Sequence, residues 1–395
     1  YHAQIVAQKA TQRELISLAC KIEEKGYDET QDVEELIAEA EGGIFEIAQR
    51  AQKRDVTQID PVIEEAFERM RKAAKNEGNI SGVPSGFTEL DKITSGWQKS
   101  DLIIIAARPA MGKTAFVLSM AKNIAVNFNR PVAMFSLEMS NVQLVNRLIM
   151  NVCEIEGDKI KNGRLTKGEW DKLENKVNDL MGAPIYVDDT PGLSVFELRS
   201  KARKLVREKR VELIIIDYLQ LMNANGTNFG SREQEVSIIS RTLKGIAKEL
   251  DIPVIALSQL NRNVEKRDSS NSNVEGKKPQ LSDLRESGAI EQDADMVCFI
   301  HRPEYYRIYN DDKSGKDLRG LGQIIVAKHR NGATDEVWLR FVGKYAKFQN
   351  ENEAFDESIY ENVPTTSAAS TTFQSRMNTQ PDANGAKLDD DITPF

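Results

Sequence analysis

Short apolar runs alternate with helix-like stretches between residues 80 and 350. This alternation is typical of a parallel sheet that is covered by helices on both faces. Three later strand-like runs have no helices between them, which predicts an antiparallel edge on the same sheet. The strand-like runs are 102–107, 132–137, 184–187, 212–216, 253–258, 296–300, 323–327, 336–341 and 345–348, and the helix-like stretches include 113–127, 167–181, 194–208 and 232–250.

A loop suited to phosphate binding follows the first strand-like run. Such loops hold the anion with backbone N–H groups and a helix N-terminus. Gly112 allows close approach of the backbone, Lys113 would reach the β- and γ-phosphates, and Thr114 would bind Mg²⁺. The strict motif has glycine where Ala107 stands, so a chance Gly-Lys-Thr in a turn is the alternative. The predicted ATP-binding residues are Arg108, Pro109, Ala110, Met111, Gly112, Lys113, Thr114 and Ala115.

Two further strand-like runs end in carboxylates. Asp217 follows an apolar run, and ligands of open α/β sheets bind at the carboxyl ends of the strands. We therefore predict that Asp217 holds Mg²⁺, directly or through water. If the strand before Glu138 lies next to the phosphate-loop strand, Glu138 points at the γ-phosphate and can polarise the attacking water. The alternative is a charge at the N-terminus of a helix that starts near Ser140.

Polar residues also follow two later strands. Gln259 carries a neutral amide that could sense the γ-phosphate. Alternation places Lys328 and Arg330 on one face of a strand that turns at Asn331-Gly332. Two such cations could neutralise charge on a nucleotide held by a neighbouring subunit. An exposed basic strand end is the alternative, and the residues alone do not decide.

Charge and composition limit the partners. The net charge of −8 argues against a broad basic surface, although a locally basic loop can still bind nucleic acid. Arg285 and the N–H groups near Gly288 could bind a backbone phosphate. We expect no membrane span, because no run of about 18 apolar residues occurs. The three cysteines have no metal-ligand spacing and fit a reducing cytosol, so we expect a cytoplasmic protein.

The regions outside the alternating pattern suggest a division into domains. Residues 1–53 read as a helical hairpin, and 54–79 as a linker with a docking helix. We expect 80–350 to be the ATPase domain and 351–395 to be a disordered tail whose acidic tip is either solvated or a docking peptide. The chain starts at Tyr1 within a helix-like stretch, so we expect it to be part of a longer protein. The linker helix carries an apolar stripe that packs either within the chain or on a neighbouring subunit: Ile59, Ile63, Ala66, Phe67 and Met70.

Taken in order, these motifs closely resemble the replicative DNA helicases of the bacterial DnaB family. Alanine at position 107 is ordinary for that family. The resemblance covers about 80–350 and implies a RecA-like P-loop NTPase domain. It implies a homo-hexameric ring around single-stranded DNA that uses ATP and Mg²⁺ to unwind the duplex at the replication fork. The stretches that carry the resemblance are 108–114, 135–139, 215–222, 257–262, 284–295 and 328–332.

The resemblance also implies roles for individual residues. Glu138 is implied as the catalytic base and Gln259 as the γ-phosphate sensor. Lys113 and Asp217 complete the same catalytic set. Arg330, with Lys328, is implied to act in trans on the ATP of the adjacent subunit.

The resemblance further implies partners. Arg285, Glu286 and Gly288 match the family's DNA-phosphate loop. Residues 60–75 look like its linker helix. Residues 1–53 look like the end of its N-terminal helical domain, which forms a collar and meets primase, and a helicase loader is expected as well.

Two other functions fit parts of the pattern. A RecA-like recombinase would share the ATP chemistry but would not displace a strand from a forked duplex. A non-catalytic ATP-binding scaffold would bind ATP without DNA-stimulated turnover. The joint presence of Glu138, Asp217, Gln259 and Arg330 argues against an inactive site.

Overall fold

A nine-stranded sheet forms the centre of the computed structural model, in the order β3-β2-β4-β5-β1-β6-β7-β8-β9. The strands are β1 Leu102–Ala107, β2 Val132–Ser136, β3 Ile185–Asp188, β4 Leu213–Asp217, β5 Val254–Gln259, β6 Met296–His301, β7 Leu321–His329, β8 Asp335–Val342 and β9 Lys347–Asn350. The structure describes residues 2–28, 58–75, 80–224, 231–260, 277–311 and 314–353, with scattered positions between 33 and 47.

Helices cover both faces of this sheet. In chain order, the α-helices of the described residues are α1 His2–Gly26, α2 Ile59–Lys75, α3 Thr88–Thr94, α4 Lys113–Lys122, α5 Asn141–Cys153, α6 Gly157–Asn162, α7 Lys167–Met181, α8 Val195–Lys209, α9 Arg232–Leu250 and α10 Gly288–Asp293, and those that pack on the sheet include α4 and α9. A π-helical turn, Asn123–Asn127, extends α4.

Burial of β1 on both faces explains why its sequence is a continuous apolar run. All six of its residues are buried. Ile103 and Ile105 pack with Phe116 of α4 on one face, whereas Ile104 packs with Leu243 of α9 on the other. Together with the parallel pairing among strands β1 to β6, this burial confirms the predicted α/β fold with a mostly parallel sheet.

The strand pairing confirms the predicted antiparallel edge and corrects one premise. β7, β8 and β9 pair antiparallel, as their uninterrupted succession predicted. β2, however, does not lie next to the phosphate-loop strand β1, because β4 and β5 separate the two. Sequence periodicity identifies a parallel strand but not its neighbour. A crossover helix can place the next strand at several positions in the sheet.

The N-terminal elements are described only in part. α1 is the first arm of the predicted hairpin, and most of the second arm lies outside the described residues. Among the described residues the apolar stripe of α2 is exposed, with Phe67 56% and Met70 64% accessible. The predicted disordered tail lies outside the described residues from 354 onward. No helix in the described ranges is long and apolar enough to cross a membrane.

Candidate functional site

The loop after β1 has the backbone shape that a phosphate-binding loop requires. Gly112 caps α4 with φ of +91°, in the left-handed region that favours glycine. A Cβ at this position would lie 3.1 Å from Cε2 of Phe348 and 3.3 Å from Cε2 of Phe341. The close approach of two aromatic rings therefore adds a steric reason for glycine here.

Residues around Gly112 divide into buried anchors and an exposed rim. Arg108 is buried and donates from Nη1 to the carbonyl of Leu260 at 3.2 Å, which joins the loop to the segment after β5. Met111 and Ala115 are buried, whereas Pro109 and Ala110 are exposed. The buried residues thus fix the loop to the core, whereas Pro109 and Ala110 leave its outer side accessible to a ligand.

Thr114 and Asp217 form the hydroxyl–carboxylate pair that the sequence predicted. The Thr114 hydroxyl donates to Oδ2 of Asp217 at 2.8 Å. Asp217 is only 1% exposed, and its Oδ1 accepts no hydrogen bond from any described residue. Burial raises the pKa of Asp217, the Thr114 hydrogen bond and the Lys113 charge lower it, and the Glu138 charge raises it. A hydroxyl beside a carboxylate oxygen that lacks a donor suits Mg²⁺, which prefers oxygen ligands.

Lys113 extends into the same region. Its Nζ donates to the carbonyl of Ser258 at 3.2 Å and lies 5.2 Å from the ring centroid of Tyr218. Burial lowers the pKa of Lys113, while the charges of Asp217 and Glu138 oppose that shift. A partly desolvated ammonium of this kind interacts strongly with an anionic phosphate, because little water screens it.

Glu138 reaches the site although β2 is not adjacent to β1. Ser136 is opposite Asp217 in the β2–β4 register, and the N–H of Leu137 donates to the carbonyl of Asp217 at 2.7 Å. Glu138 therefore follows directly after the point where β2 contacts β4, the strand that ends in Asp217. Its side chain is exposed. A helix does begin close to Glu138, as the alternative interpretation expected, since Ser140 caps α5 with a complete capping box.

Gln259 ends β5 directly beside the phosphate loop, opposite Ala107. Its side chain is exposed, and its backbone N–H donates to Oε1 of Gln220 at 3.4 Å. Gln220 also donates from Nε2 to the Ser258 hydroxyl at 2.8 Å. Gln220 thus joins the ends of β4 and β5, a role that sequence reasoning missed although Gln220 stands within the stretch 215–222.

Arg302 is a second residue of this edge that sequence reasoning missed. It follows β6, the other neighbour of β1, and donates from Nη1 to the carbonyl of Ala110 at 3.3 Å. Its guanidinium carbon lies 3.9 Å from the ring centroid of Phe341. The only signal available in the sequence was its position at the end of an apolar strand.

Lys328 and Arg330 lie at the opposite end of the sheet. His329 is opposite Met296, which is opposite Ile103, so this end of β7 adjoins the beginning of β1. The phosphate loop leaves from the other end of β1, roughly 17 Å away at ~3.3 Å per residue. The structure therefore does not bring these two cations to the phosphate loop of their own chain.

The predicted DNA-contacting residues are only partly described. A 3₁₀ segment, Leu281–Ser287, leads directly into α10, which begins at Gly288. Gly288 is exposed, and a Cβ there would meet nothing within 4 Å. The side chains of Arg285 and Glu286 lie outside the described part of the chain. Their predicted role stays a prediction.

Comparisons with known proteins give a consistent picture. The family model described as DnaB-like helicase C terminal domain matches residues 82–350. The replicative DNA helicase DnaB of Geobacillus stearothermophilus is 44% identical over 358 residues, which cover 91% of this chain and 76% of that relative.

Two solved structures are also similar. One, described as an ATPase domain, is 40% identical with a TM-score of 0.66, and the match covers 75% of this chain and 99% of the other. The second, a DnaB-like replicative helicase described with its interactions with primase, is 38% identical with a TM-score of 0.68. That match covers 88% of this chain and 78% of the other.

Proposed function

Because this chain belongs to the DnaB-like helicase family, and is an ATP-hydrolysing replicative DNA helicase, we propose that it cleaves ATP at the carboxyl end of its sheet. The observation that carries the proposal is the convergence of Lys113, Thr114 and Asp217, with the Glu138 charge acting on Lys113 and Asp217. Phosphoryl transfer depends mainly on positioning and charge neutralisation, and this edge supplies both.

Each residue of this edge takes one role. The backbone of 108–112 and the N-terminus of α4 hold the phosphates, and Lys113 neutralises the β- and γ-phosphates. Thr114 and Asp217 would hold Mg²⁺, which would neutralise phosphate charge when bound. Glu138 accepts a proton from the attacking water and orients it. Gln259 contacts the γ-phosphate from the neighbouring strand.

Lys328 and Arg330 serve the ATP of an adjacent subunit. Their distance from the phosphate loop of their own chain supports action in trans. The nucleotide then lies between subunits, which requires a closed assembly, and a homo-hexameric ring is the arrangement we propose. The exposed stripe of α2 docks on the next subunit in that ring.

Partners follow from the family. The ring encloses single-stranded DNA, and Arg285, Glu286 and Gly288 contact its phosphates. A similar solved helicase is described with its interactions with primase, so we propose primase as a partner, together with a helicase loader. We also propose a cytoplasmic location, because the protein is similar to bacterial replicative DNA helicases.

Unwinding of a forked duplex tests this function most directly. The full chain is incubated with a fluorescently labelled fork and ATP, and ATP turnover is measured with and without single-stranded DNA. We expect ATP-dependent strand displacement and DNA-stimulated turnover, both lost in Lys113→Ala. DNA-stimulated turnover without displacement would indicate a recombinase-like ATPase, and ATP binding without turnover would indicate a scaffold.

A further inference from the structure

Both proposed trans-acting cations are held by one short helix. Lys328 donates from Nζ to the carbonyl of Glu291, and Arg330 donates from Nη2 to the carbonyl of Gln292. Both carbonyls belong to the last turn of α10, where helix carbonyls carry partial negative charge. The C-terminal end of α10 therefore fixes the two cations relative to each other.

Asp295 completes this arrangement from the side of the sheet. Its Oδ1 accepts from Nη1 of Arg330 at 3.2 Å, and its carbonyl accepts from the Arg330 N–H at 2.9 Å. The side chain of Asp295 is 7% exposed, whereas that of Arg330 is 47% exposed. The buried Asp295 carboxylate thus binds one side of the Arg330 guanidinium, and the other side is accessible to an adjacent subunit.

Further contacts hold Asp295 itself in place. Its Oδ2 accepts from the backbone N–H of Leu102 at 2.8 Å and from Nζ of Lys244 in α9. Its N–H donates to the carbonyl of Leu102 at 2.9 Å. Asp295 is therefore fixed to the beginning of β1 and to α9 at once. Displacing the buried Asp295 carboxylate would break several of these hydrogen bonds at once, so they favour a single position for it.

The other end of α10 begins where the proposed DNA contacts lie. Gly288 is both the first residue of α10 and the last residue of the segment 285–288. Ile290, which is 0% exposed, anchors the helix in the core shared with Leu243 of α9. α10 has six residues, which span about 9 Å at ~1.5 Å per residue. Residues 285–288 are therefore joined to the carbonyls that hold Lys328 and Arg330 by one short helix.

We infer that Asp295 is a positioning residue for the ATP reaction of the adjacent subunit, and that α10 links that reaction to DNA contact. Together with the carbonyls of Glu291 and Gln292, Asp295 aims Arg330 and Lys328 at the neighbouring nucleotide. This inference rests on the proposed trans action and the proposed DNA contacts. It adds a residue that touches neither ATP nor DNA, and a physical route between the two sites.

Asp295→Asn tests the inference in the full chain, with Asp293→Asn as the matched control. Both variants remove one negative charge from the same end of α10, but among the described residues the hydrogen bonds of Arg330 go to Asp295 and Gln292 rather than to Asp293. We expect Asp295→Asn to lower DNA-stimulated kcat by about 10²-fold, the loss typical of a misplaced catalytic group, with KM for ATP and affinity for a labelled oligo-dT within about twofold. Asp293→Asn should change kcat less than about threefold. An equal loss in both variants would show a general charge effect and overturn the assignment.

Subunit mixing separates positioning in trans from damage in cis. Asp295→Asn subunits are mixed with Lys113→Ala subunits, which have a defective phosphate loop but an intact Arg330. We expect turnover to recover as it does in the reference mixture of Arg330→Ala with Lys113→Ala. If only the reference mixture recovers, Asp295 acts on its own chain and this inference fails while the proposed function stands. If the reference mixture also fails to recover, the trans action itself is wrong, and the positioning role is overturned with it.

Discussion

Each end of the sheet has a buried aspartate, and the two differ in how many hydrogen bonds their carboxylate oxygens accept. At the carboxyl end, buried Asp217 receives one hydrogen bond from Thr114, and among the described residues its Oδ1 has no donor. At the amino end, buried Asp295 receives donors on both oxygens, from Arg330, Leu102 and Lys244. A buried acceptor without a donor is costly unless a ligand supplies the missing interaction. The carboxyl end is thus built to bind, and the amino end to hold a fixed geometry.

This contrast separates two ways of losing activity. In the proposed function, changes at the carboxyl end remove groups that act on the ATP of the same chain. Changes at the amino end are then expected to leave that ATP site intact and to affect the ATP of a neighbour. Substitutions at each end probe this difference, and the largest expected effect comes first.

Arg330→Ala should produce the largest loss with the least change in binding. A cation that neutralises transition-state charge in trans contributes about 10³- to 10⁵-fold to turnover. We therefore expect turnover to fall by at least about 10³-fold, whereas the affinity for fluorescent ATP analogues stays within a few fold. Steady-state kinetics and equilibrium titration of the same preparation measure both quantities.

Arg319→Ala is the matched control for that change. Arg319 is an exposed arginine that pairs with Asp317 at 2.7 Å, two residues away. Its removal should leave turnover unchanged, because exposed pairs contribute little. Substantial turnover in Arg330→Ala would show that the essential cation lies elsewhere. The amino end would then have no part in the ATP reaction of the adjacent subunit.

Glu138→Gln should stop the chemistry while retaining ATP at the carboxyl end. General base catalysis contributes about 10²- to 10⁴-fold, and glutamine keeps the size of the side chain while losing its basicity. We expect ATP to remain uncleaved on the protein after rapid desalting. Glu212→Gln makes the same chemical change just before β4, at the opposite end of the sheet, and should hydrolyse ATP normally. Cleavage of the retained ATP by Glu138→Gln would show that another group activates the water.

The sequence was most informative where function follows from a local pattern. Apolar runs gave the strands, and Lys113, Thr114 and Asp217 could be placed because ligands bind at the carboxyl ends of parallel strands. The order of the strands was not accessible, so β2 was considered as a neighbour of β1 when two strands separate them. Glu138 still reaches the site, because β2 pairs with the strand that ends in Asp217.

Side-chain networks between distant segments were the least accessible part. Gln220 and Ser258 are 38 positions apart, and no spacing rule connects them. Asp295 ends the stretch 284–295, and nothing in that stretch indicated which residues it would contact. Its partners Lys244 and Arg330 come from α9 and from the end of β7, which only the folded sheet brings together.

The smallest predicted effect concerns Asp101, which adjoins the Asp295 network at the amino end. Burial raises its pKa to about 6, the Asp295 charge adds to the rise, and Lys244 and Arg330 oppose it. The folded chain therefore binds more protons than the unfolded chain between the ordinary aspartate value and pH 6, so this group stabilises the fold at low pH. That stabilisation is lost as the pH rises through about 6. Between pH 5 and 7.5 the loss should be about 1 kcal/mol, since one pKa unit corresponds to ~1.4 kcal/mol.

Asp101→Asn should remove this part of the pH dependence, because asparagine does not titrate. Urea unfolding of the wild type and the variant at pH 5 and pH 7.5 gives the difference. Asp335→Asn, at the exposed start of β8, is a suitable control because its side chain lies in water. We expect the wild type and the control to lose stability over this interval by the same amount, and Asp101→Asn to lose about 1 kcal/mol less. Identical pH profiles for all three proteins would mean that Asp101 is ionised at both pH values. Lys244 and Arg330 would then offset the burial of the Asp101 charge.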